Sequence, residues 1–304
     1  MPISNHPQIA VIIPTYNRAD TLKKCIDSVN NQTVQLNEII VIDDSSTDNT
    51  QSVLKSYDNI TVSKTTKNSG AQVARNIGIK AAKSEWIAFL DSDDEWLPDK
   101  IEKQLSILKS VNHNPFTLVH GDCIVRDKQG NMKNWHLNNI EGNDVYRQLL
   151  SESGTFFPAI LTSKTALAKI GFLAEDIQAY QEWDTAIKLA KICSFYHIQE
   201  PLFIYNIKDD SISNNFDNDV KGYFQIVKKY ESEIKNVCGQ GIFDNHILKC
   251  ANMAINSNNF EYSRELLSKI EKNNFKKIIA LLLSYLHIKP KYIHQSVKYM
   301  SWKN

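Results

Sequence analysis

The sequence predicts an α/β fold that is followed by an all-helical C-terminal extension. In the first third of the chain, four short apolar runs alternate with segments whose apolar residues have helical spacing. A cluster of polar residues follows each apolar run, and from about residue 217 the pattern is helical only. Because strands alternate with helices, we expect a mostly parallel central sheet flanked by helices.

The elements of the first third predict a ligand-binding edge. Strands are expected at 9–13, 38–42, 60–64 and 86–90, and helices between them at 20–30, 50–56 and 70–82. Right-handed crossovers would bring the carboxyl ends of these strands to one edge of the sheet. Ligands of open α/β sheets bind at this edge.

The rest of the chain predicts a division into two domains. The middle third is expected to contain a helix at 99–111, a strand at 118–125, a turn at 128–131, helices at 144–151, 163–170 and 182–192, and strands within 194–205. C-terminal helices are expected at 218–235, 241–256, 260–271 and 273–286. Since 304 residues suffice for a large domain with an appendage, we predict an α/β domain over 1–216 and a helical extension over 217–304.

Charge is balanced over the whole chain but not along it. The 35 Lys and Arg residues face 34 Asp and Glu residues, and a net charge of +1 argues against a protein that coats nucleic acid. Residues 264–304 hold nine basic and two acidic residues, a charge of +7, which leaves −6 on the other 263 residues. The basic tail predicts either contact with an anionic membrane surface or an ordinary solvated helix surface.

Cysteine usage and the apolar runs predict a cytoplasmic protein. The five Cys residues include no Cys-x-x-Cys pair, so we expect free thiols in a reducing compartment. The N-terminus lacks the basic start and long apolar stretch of a signal peptide. The apolar run at 278–288 has 11 residues, whereas a membrane-spanning helix needs about 20. The expected location is therefore the cytoplasm, at the inner face of the membrane if the basic tail contacts lipid.

Polar clusters follow the four predicted strands, at 14–18, 43–48, 68–78 and 91–96. Each alone is typical of a helix cap or a solvated loop, but four at one sheet edge indicate a ligand site. In the last cluster, Asp91, Asp93 and Asp94 would repel one another unless a cation or hydrogen-bond donors neutralise them. Mg²⁺ and Mn²⁺ prefer such oxygen ligands, and the alternative is that these residues favour the N-terminus of the following helix.

The motifs in these clusters resemble those of family 2 glycosyltransferases, whose GT-A fold is Rossmann-like. They read VIIPTYN at 11–17, VIDDSSTD at 41–48, NSG at 68–70, ARNIG at 74–78 and FLDSDD at 89–94. The resemblance covers residues 8 to about 215, roughly two thirds of the chain. It implies a metal-dependent, inverting hexosyltransferase that takes its sugar from a nucleotide-sugar donor, usually a UDP-sugar.

The resemblance also implies which residues bind the donor. They are expected to be Pro14, Tyr16, Asp44, Asn68, Gly70, Arg75, Ser92 and Lys208. Pro14, Tyr16 and Asp44 would hold the uracil, where Asp44 would accept a hydrogen bond from the N3–H group. Arg75 would supply a cation near the base or the phosphates.

A divalent metal is implied by the same resemblance. Asp91 and Asp93 correspond to the family's DxD motif, and either Asp93 or Asp94 would contact Mn²⁺ or Mg²⁺ directly. The metal would act as a Lewis acid for the departing diphosphate. Lys208 stands where the family often has His. Since a protonated Lys cannot ligate a metal but can neutralise a phosphate, we expect Lys208 to contact phosphate, with metal dependence retained.

A general base is expected before the helix predicted at 182–192. Inversion by a single displacement requires a group that takes the proton of the acceptor hydroxyl. By motif position this group is Glu182, where the family commonly has Asp. Asp184 is the rival carboxylate, and the alternative is that Glu182 is only a first-turn residue of an amphipathic helix.

The sequence therefore predicts transfer of a hexose or N-acetylhexosamine to a hydroxyl of a glycan or lipid-linked oligosaccharide, in surface polysaccharide biosynthesis. The alternative is a nucleotide-sugar-binding or glycan-binding module with weak catalysis on the same fold, which would be expected to lack the DxD motif or the base. An oxidoreductase is disfavoured because no GxGxxG motif follows the first strand.

The aromatic residues that would either shape the acceptor pocket or belong to the core are Trp135, His136, Tyr146, Phe156 and Phe157.

Overall fold

The computed structural model describes residues 7–142, 145–177, 179–208, 216–271 and 275–289. Parts of four predictions lie outside these residues: position 144 of a helix, 209–213 of the segment after Lys208, 273–274 of the last helix, and 290–304 of the basic tail.

The chain divides into two compact units. Unit 1 consists of Met1–Tyr146, Gly154–Glu175 and Gln181–Lys208. Unit 2 consists of Arg147–Ser153, Asp176–Tyr180 and Asp209–Asn304, so it includes two short segments that precede its main part in the chain.

Unit 1 is built on a mixed sheet, which has nine strands within the described residues. The strands are β1 (Ile9–Thr15), β2 (Glu38–Asp43), β3 (Thr61–Lys64), β4 (Trp86–Phe89), β5 (Glu95–Trp96), β6 (Thr117–Arg126), β7 (Met132–Trp135), β8 (Leu161–Ser163) and β9 (Ser194–Asn206). Their order is β3-β2-β1-β4-β8-β6-β9-β5, with β7 paired to β6.

The sheet has a parallel half and a mixed half. In the parallel half, β1 pairs in parallel with β2 and β4, and β2 pairs in parallel with β3. Strand β8 then runs antiparallel to both β4 and β6. In the mixed half, β6 is parallel to β9 and antiparallel to β7, and β5 is antiparallel to β9.

Helices of unit 1 pack against strands of the sheet and bury apolar residues there. The first seven are α1 (Leu22–Asn30), α2 (Thr50–Leu54), α3 (Ala71–Ala81), α4 (Lys100–Ser110), α5 (Tyr146–Ser151), α6 (Lys164–Lys169) and α7 (Gln181–Ala190). In α3, a Cβ atom at Gly78 would lie 2.5 Å from Ile12 Cγ2 of β1. A glycine at this position therefore lets α3 approach the sheet closely.

Unit 2 is helical within its described residues. It contains the rest of α5, followed by α8 (Phe216–Lys229), α9 (Glu231–Glu233), a π-helical turn at Ile234–Cys238, α10 (Gln240–Asn256), α11 (Phe260–Ser268) and α12 (Phe275–Tyr285). The largely buried helix α10 packs against α8, α11 and α12. Among the described residues, no helix combines the length and apolar character that crossing a bilayer requires.

The predicted fold class, an α/β domain with a helical C-terminal region, is confirmed. The sheet was predicted to be mostly parallel but is mixed, with four parallel and four antiparallel pairings among the described strands, because the strands after β4 pair in both directions. The turn predicted at 128–131 joins the antiparallel strands β6 and β7. The sequence did not predict β5, β7 or β8, which are two to four residues long. Strands this short exist through their pairing with β9, β6 and β4, and a local pattern does not contain that information.

Candidate active site

The loops that follow β1 and β2, at 16–21 and 44–49, are joined by hydrogen bonds, and together they are called the loop layer. The N–H group of Asp44 donates to the carbonyl of Thr15 (2.8 Å), and the N–H group of Thr47 donates to Asn17 Oδ1 (2.8 Å). Asn17 and Ser45 have φ values of 51° and 65°, in the left-handed region that short polar residues tolerate. The layer keeps Tyr16, which is 41% exposed, at the surface directly after the buried strand residue Thr15.

Asp44 fastens the loop between β3 and α3 to this layer. Its buried carboxylate accepts hydrogen bonds from Thr65 Oγ1 (2.8 Å) and from the N–H groups of Ser69 (3.0 Å to each oxygen) and Gly70 (2.7 Å). Gly70 has φ +92° and immediately precedes α3, a conformation that side chains other than glycine rarely adopt. Asp44 and Gly70 thus determine the path of residues 65–70, including the exposed Asn68.

Sequence reasoning missed the part that Asp43 plays next to Asp44. Asp43 is fully buried, and its carboxylate accepts hydrogen bonds from the Ser46 N–H group (2.8 Å) and from Gln51 Nε2. Lys64 Nζ lies 3.7 Å from the same carboxylate. The two adjacent aspartates therefore hold two different loops, and the paired acids of the motif were the signal that could have indicated this.

Arg75 connects α3 to the acidic cluster and to α7. Its guanidinium donates to Asp91 Oδ1 (2.5 Å), to Gln72 Oε1 (2.8 Å) and to Gln181 Oε1 (3.2 Å). The guanidinium carbon also lies 4.2 Å from the ring centroid of Phe157. Arg75 is buried, so its charge is oriented by these partners rather than by solvent.

The acidic cluster follows β4 in a tight turn. The N–H group of Asp94 donates to the carbonyl of Asp91 (2.9 Å). This hydrogen bond closes the turn that carries the three aspartates. Burial and the neighbouring charge of Asp91 raise the pKa of Asp93, although Arg18 Nε lies 3.5 Å from its carboxylate. Burial raises the pKa of Asp94 well above its usual range, and the charges of Asp93 and Asp91 add to the effect. Both carboxyl groups are therefore harder to ionise here than in water.

The chemistry of this segment fits a divalent cation. Among the residues that the structure describes, no group of three or more His, Cys, Asp or Glu side chains is arranged to hold a metal ion by itself. Mg²⁺ in phosphoryl-binding sites is usually held by one or two carboxylates together with substrate phosphates, rather than by a complete protein cage. The carboxylate oxygens of Asp91, Asp93 and Asp94 are hard donors of the kind that such a shared site uses.

Two residues of the mixed half of the sheet support the acidic cluster and were not predicted. The N–H group of Asn206 donates to Asp94 Oδ1 (2.9 Å), and Asn206 Nδ2 donates to the carbonyl of Asp93 (2.7 Å). Arg126 donates to Asn206 Oδ1 (3.0 Å) and forms an ion pair with Glu95 (2.5 Å). These contacts are separated by up to 113 positions in the chain, so no local motif could reveal them.

Lys208 follows β9, so it comes after the acidic cluster in the chain, whereas Arg75 comes before it. The Nζ atom of Lys208 forms an ion pair with Asp20 Oδ2 (2.8 Å), and its charge also lowers the pKa of Asp93, although burial and Asp91 outweigh this effect. Lys208 and Arg18 therefore bring positive charge to the same carboxylate.

Helix α7 carries both candidate bases. Glu182 in its first turn is half-buried, whereas Asp184 is buried. Gln181, adjacent to Glu182, contacts Arg75, and Asn76 Nδ2 donates to the carbonyl of Leu173 (3.0 Å) and to Glu175 Oε1 (2.8 Å). Neighbouring residues of α3 thus hold both the start of α7 and the segment that precedes it.

The aromatic residues predicted for an acceptor pocket occupy different environments. Trp135 and Phe156 pack edge to face (5.4 Å between ring centroids), and Phe156 also contacts Tyr205 (5.9 Å). Phe157 is buried beneath Arg75, and Lys191 Nζ lies 5.2 Å from the Tyr146 ring. His136 is exposed, and its Nδ1 atom lies 2.7 Å from the buried carboxylate of Asp122. The first four side chains thus contact other parts of the protein, and His136 faces solvent.

The sheet order and the loop layer define an α/β protein with a candidate ligand site at the strand ends, and the comparisons with known proteins give its family. The model of glycosyl transferase family 2 matches residues 10–170, more than half of the chain. The chain therefore belongs to glycosyl transferase family 2, as its motifs predicted.

Relatives in bacteria are also named as glycosyltransferases. An uncharacterized glycosyltransferase of Haemophilus influenzae is 28% identical over 247 residues, which cover 79% of this chain and 83% of that protein. The Escherichia coli UDP-Glc:alpha-D-GlcNAc-diphosphoundecaprenol beta-1,3-glucosyltransferase WfgD is 28% identical over 231 residues, which cover 72% of this chain and 85% of WfgD. The putative teichuronic acid biosynthesis glycosyltransferase TuaG of Bacillus subtilis is 42% identical over 106 residues, 34% of this chain and 42% of TuaG.

Solved structures show the same fold. TarS 1-349 of S. aureus in complex with UDP-GlcNAc has a TM-score of 0.62 at 16% identity, covering 94% of this chain and 82% of that one. The mannosyltransferase PcManGT of Pyrobaculum calidifontis in complex with GDP-Man and Mn²⁺ has a TM-score of 0.61 at 16% identity, covering 96% and 83%. The predicted GT-A fold is thus confirmed.

Proposed function

We propose that this protein is an inverting glycosyltransferase that moves a hexose or N-acetylhexosamine from a UDP-sugar to a hydroxyl of a glycan or lipid-linked oligosaccharide in surface polysaccharide biosynthesis. The observation that carries the proposal is the junction of Arg75 with Asp91 and Gln181, because it joins the nucleotide loops, the acidic cluster and the helix of the candidate base. The lipid-linked acceptor of WfgD and the assignment of TuaG to teichuronic acid biosynthesis support the class of acceptor.

The donor nucleotide would bind on the loop layer. Tyr16 offers an exposed ring for the base, and the fixed loop at 65–70 presents Asn68 and Gly70 beside it. Asp44 already accepts hydrogen bonds from this loop, so in this proposal it shapes the base pocket as well as meeting the uracil N3–H group. Ser92, which is buried within the acidic segment, would lie under the ribose and phosphates.

Asp91 with Asp93 or Asp94 would hold Mn²⁺ or Mg²⁺, which supplies Lewis-acid stabilisation of the departing diphosphate when it is bound. Around it, Arg75 and Lys208 would neutralise phosphate charge from two sides. Lys208 would exchange its exposed partner Asp20 for a phosphate oxygen when the donor binds.

The chain's own acid–base chemistry would come from Glu182. The acceptor oxygen attacks the anomeric carbon from the face opposite UDP, the bond from that carbon to the diphosphate oxygen breaks, and the proton of the acceptor hydroxyl passes to the Glu182 carboxylate. Half-burial at the start of α7 keeps this carboxylate accessible, whereas Asp184 is only 1% exposed. The accessible residue is therefore the better base.

The test is a turnover assay with a panel of UDP-sugars and GDP-mannose, with Mn²⁺, with Mg²⁺ and with a chelator, read as nucleotide release with and without acceptor. The Glu182→Gln variant is expected to lose transfer by about 100-fold to 10,000-fold, and Asp184→Asn serves as the matched carboxylate control. NMR of the product would report the anomeric configuration. Retention of configuration, or full activity of Glu182→Gln, would contradict the proposal, and binding without turnover would favour a sugar-binding module.

We infer that the enzyme works at the inner face of the cytoplasmic membrane, where a lipid-linked acceptor would be available. The lysine-rich sequence after residue 264 supports contact with anionic lipid through electrostatic attraction.

A further inference from the structure

Helix α12 carries an apolar stripe on its outer side. Its members are 38% to 77% exposed: Phe275, Ile278, Ile279, Leu282 and Tyr285 of the helix, and Leu286 directly after it. Their spacing of three, four and seven positions places the helical members on one face of α12. Isolated exposed apolar residues are ordinary, but a continuous stripe of five on one helix, followed by a sixth, indicates a surface that another apolar phase covers.

The opposite side of α12 is fixed to unit 2. Lys277, Ala280 and Ser284 are buried, and Lys277 Nζ donates to the carbonyl of Ile270 (2.6 Å). Arg264 of α11 donates to the carbonyl of Ser284 (3.2 Å), and its guanidinium lies 5.0 Å from the Tyr285 ring centroid. The helix is therefore already anchored through its polar and small residues, which leaves the apolar stripe facing outward.

Positive charge accompanies the stripe. The exposed Lys276 lies on the flank of α12, and the exposed Lys289 follows the helix. Residues 272–304 contain seven Lys residues and no Asp or Glu. An apolar helix face with basic residues at its border is the composition of helices that lie in the headgroup region of an anionic bilayer.

We propose that the outer face of α12, together with its flanking lysines, is a docking surface for anionic phospholipid. The apolar side chains enter the acyl boundary, and the lysines contact lipid phosphates. This inference rests on the proposed function, in which the acceptor is attached to lipid, and it adds the segment that holds the enzyme at the bilayer. The helix lies along the interface, since α12 has 11 residues.

The experiment measures flotation of the full chain with vesicles of phosphatidylcholine alone and with vesicles that also contain phosphatidylglycerol. The wild-type chain is expected to float with the anionic vesicles, and the Ile278→Glu/Leu282→Glu double variant is expected to lose at least about tenfold in binding. Both positions are exposed, so folding should be retained, which circular dichroism checks. The Val237→Glu variant, at a position of unit 2 that is 38% exposed, is the matched control and should float like wild type. A Lys276→Gln/Lys289→Gln variant should bind more weakly and lose the preference for anionic lipid.

Three outcomes would overturn the inference. Equal flotation of wild type and the double variant would show that the stripe is not the contact. Wild-type flotation only after deletion of residues 290–304 would show that the chain's own C-terminus covers the stripe. A wild-type dimer that the double variant dissociates, without flotation of wild type, would make the stripe an interface between copies. Nucleotide release with a water-soluble acceptor separates this test from the proposed function. If only the docking inference fails, the α12 variants and wild type all release nucleotide. If the proposed function fails, no variant releases nucleotide, and neither does wild type.

Discussion

The parallel half and the mixed half of the unit 1 sheet both use a buried aspartate to hold a loop, but with different partners. In the parallel half, Asp44 accepts hydrogen bonds from a hydroxyl and from backbone N–H groups of residues 65–70. In the mixed half, Asp122 accepts from the N–H group of Leu137 (2.9 Å) and contacts the rings of His136 (2.7 Å) and His197 (2.9 Å).

The difference lies in where the partners come from. The backbone donors around Asp44 belong to the motifs themselves, so they are present in any chain that folds this way locally. The histidines around Asp122 come from β9 and from the segment after β7, and His197 also stacks on His120 of β6 (4.5 Å between ring centroids). The loop at 65–70 is therefore held mainly by its backbone N–H groups, whereas the loop at 136–140 is held by histidine side chains in addition to one backbone N–H group.

The largest expected effect comes from Arg75, which touches both the acidic cluster and α7. Arg75→Lys keeps the charge but loses the planar fork that serves Asp91, Gln72 and Gln181 together. We expect kcat/KM for transfer to fall by about 100-fold, since preorganised donors of this kind contribute that much. Steady-state nucleotide release at saturating acceptor measures it.

The exposed Lys80→Gln, also on α3, is the control and should leave the rate unchanged. A loss of less than a few-fold in Arg75→Lys would show that charge alone is needed at this position, and that the fork to Asp91 and Gln181 is not required for transfer.

The contacts that the sequence could predict lie mainly in the parallel half of the sheet, and those that it could not predict lie mainly in the mixed half. Asp44, Gly70, Arg75 and Asp91 lie in contiguous motifs, and the structure brings these motifs to one sheet edge. Asn206 was not predicted because it reaches Asp94 from 112 positions away, across the short strand β5. Asp122 and His197 meet only because β6 pairs with β9, where the register shifts around Asp122. Such irregular pairing depends on tertiary packing that a local pattern does not encode.

Asp44→Asn should have the next largest effect, confined to the donor side. The amide keeps one accepting oxygen but turns an N–H₂ group toward donors, so part of the loop at 65–70 loses its partner. We expect the donor KM to rise by about tenfold and the free energy of unfolding to fall by about 1–3 kcal/mol, with the acceptor KM unchanged. Isothermal titration with UDP and chemical denaturation measure the two effects. An unchanged donor affinity would contradict the role of Asp44 in shaping the base pocket.

Asp122→Asn should show the reverse pattern in the mixed half. The amide cannot accept from Leu137 N–H and from both histidine rings, so the segment at 136–140 loosens. If this segment shapes the acceptor pocket, acceptor KM rises a few-fold while donor affinity stays at the wild-type value. His136→Ala is the companion variant, because its ring is 70% exposed and its removal leaves the buried contacts of Asp122 in place. A donor KM that changes as much as the acceptor KM would remove the distinction between the halves.

The smallest expected effect is a pH dependence of stability that originates in the mixed half. Burial lowers the pKa of His120 from 6.5 to about 4, and its Nε2–H group donates to the carbonyl of Ile140 (2.8 Å). Between these two values the unfolded chain binds more protons than the folded one, so stability is complete above pH 6.5 and is lost as pH falls toward 4. At pH 6 we expect a loss of about 1 kcal/mol from His120, by linkage. His246 of unit 2 has the same depressed pKa of about 4, through burial, and adds a slope of the same sign. The free energy of unfolding can be measured by urea denaturation at several pH values between neutral and mildly acidic. It should depend less steeply on pH in His120→Gln than in wild type, and likewise in His246→Gln. If the free energy of unfolding of His120→Gln depends on pH as steeply as that of wild type, His120 does not make the mixed half sensitive to acid.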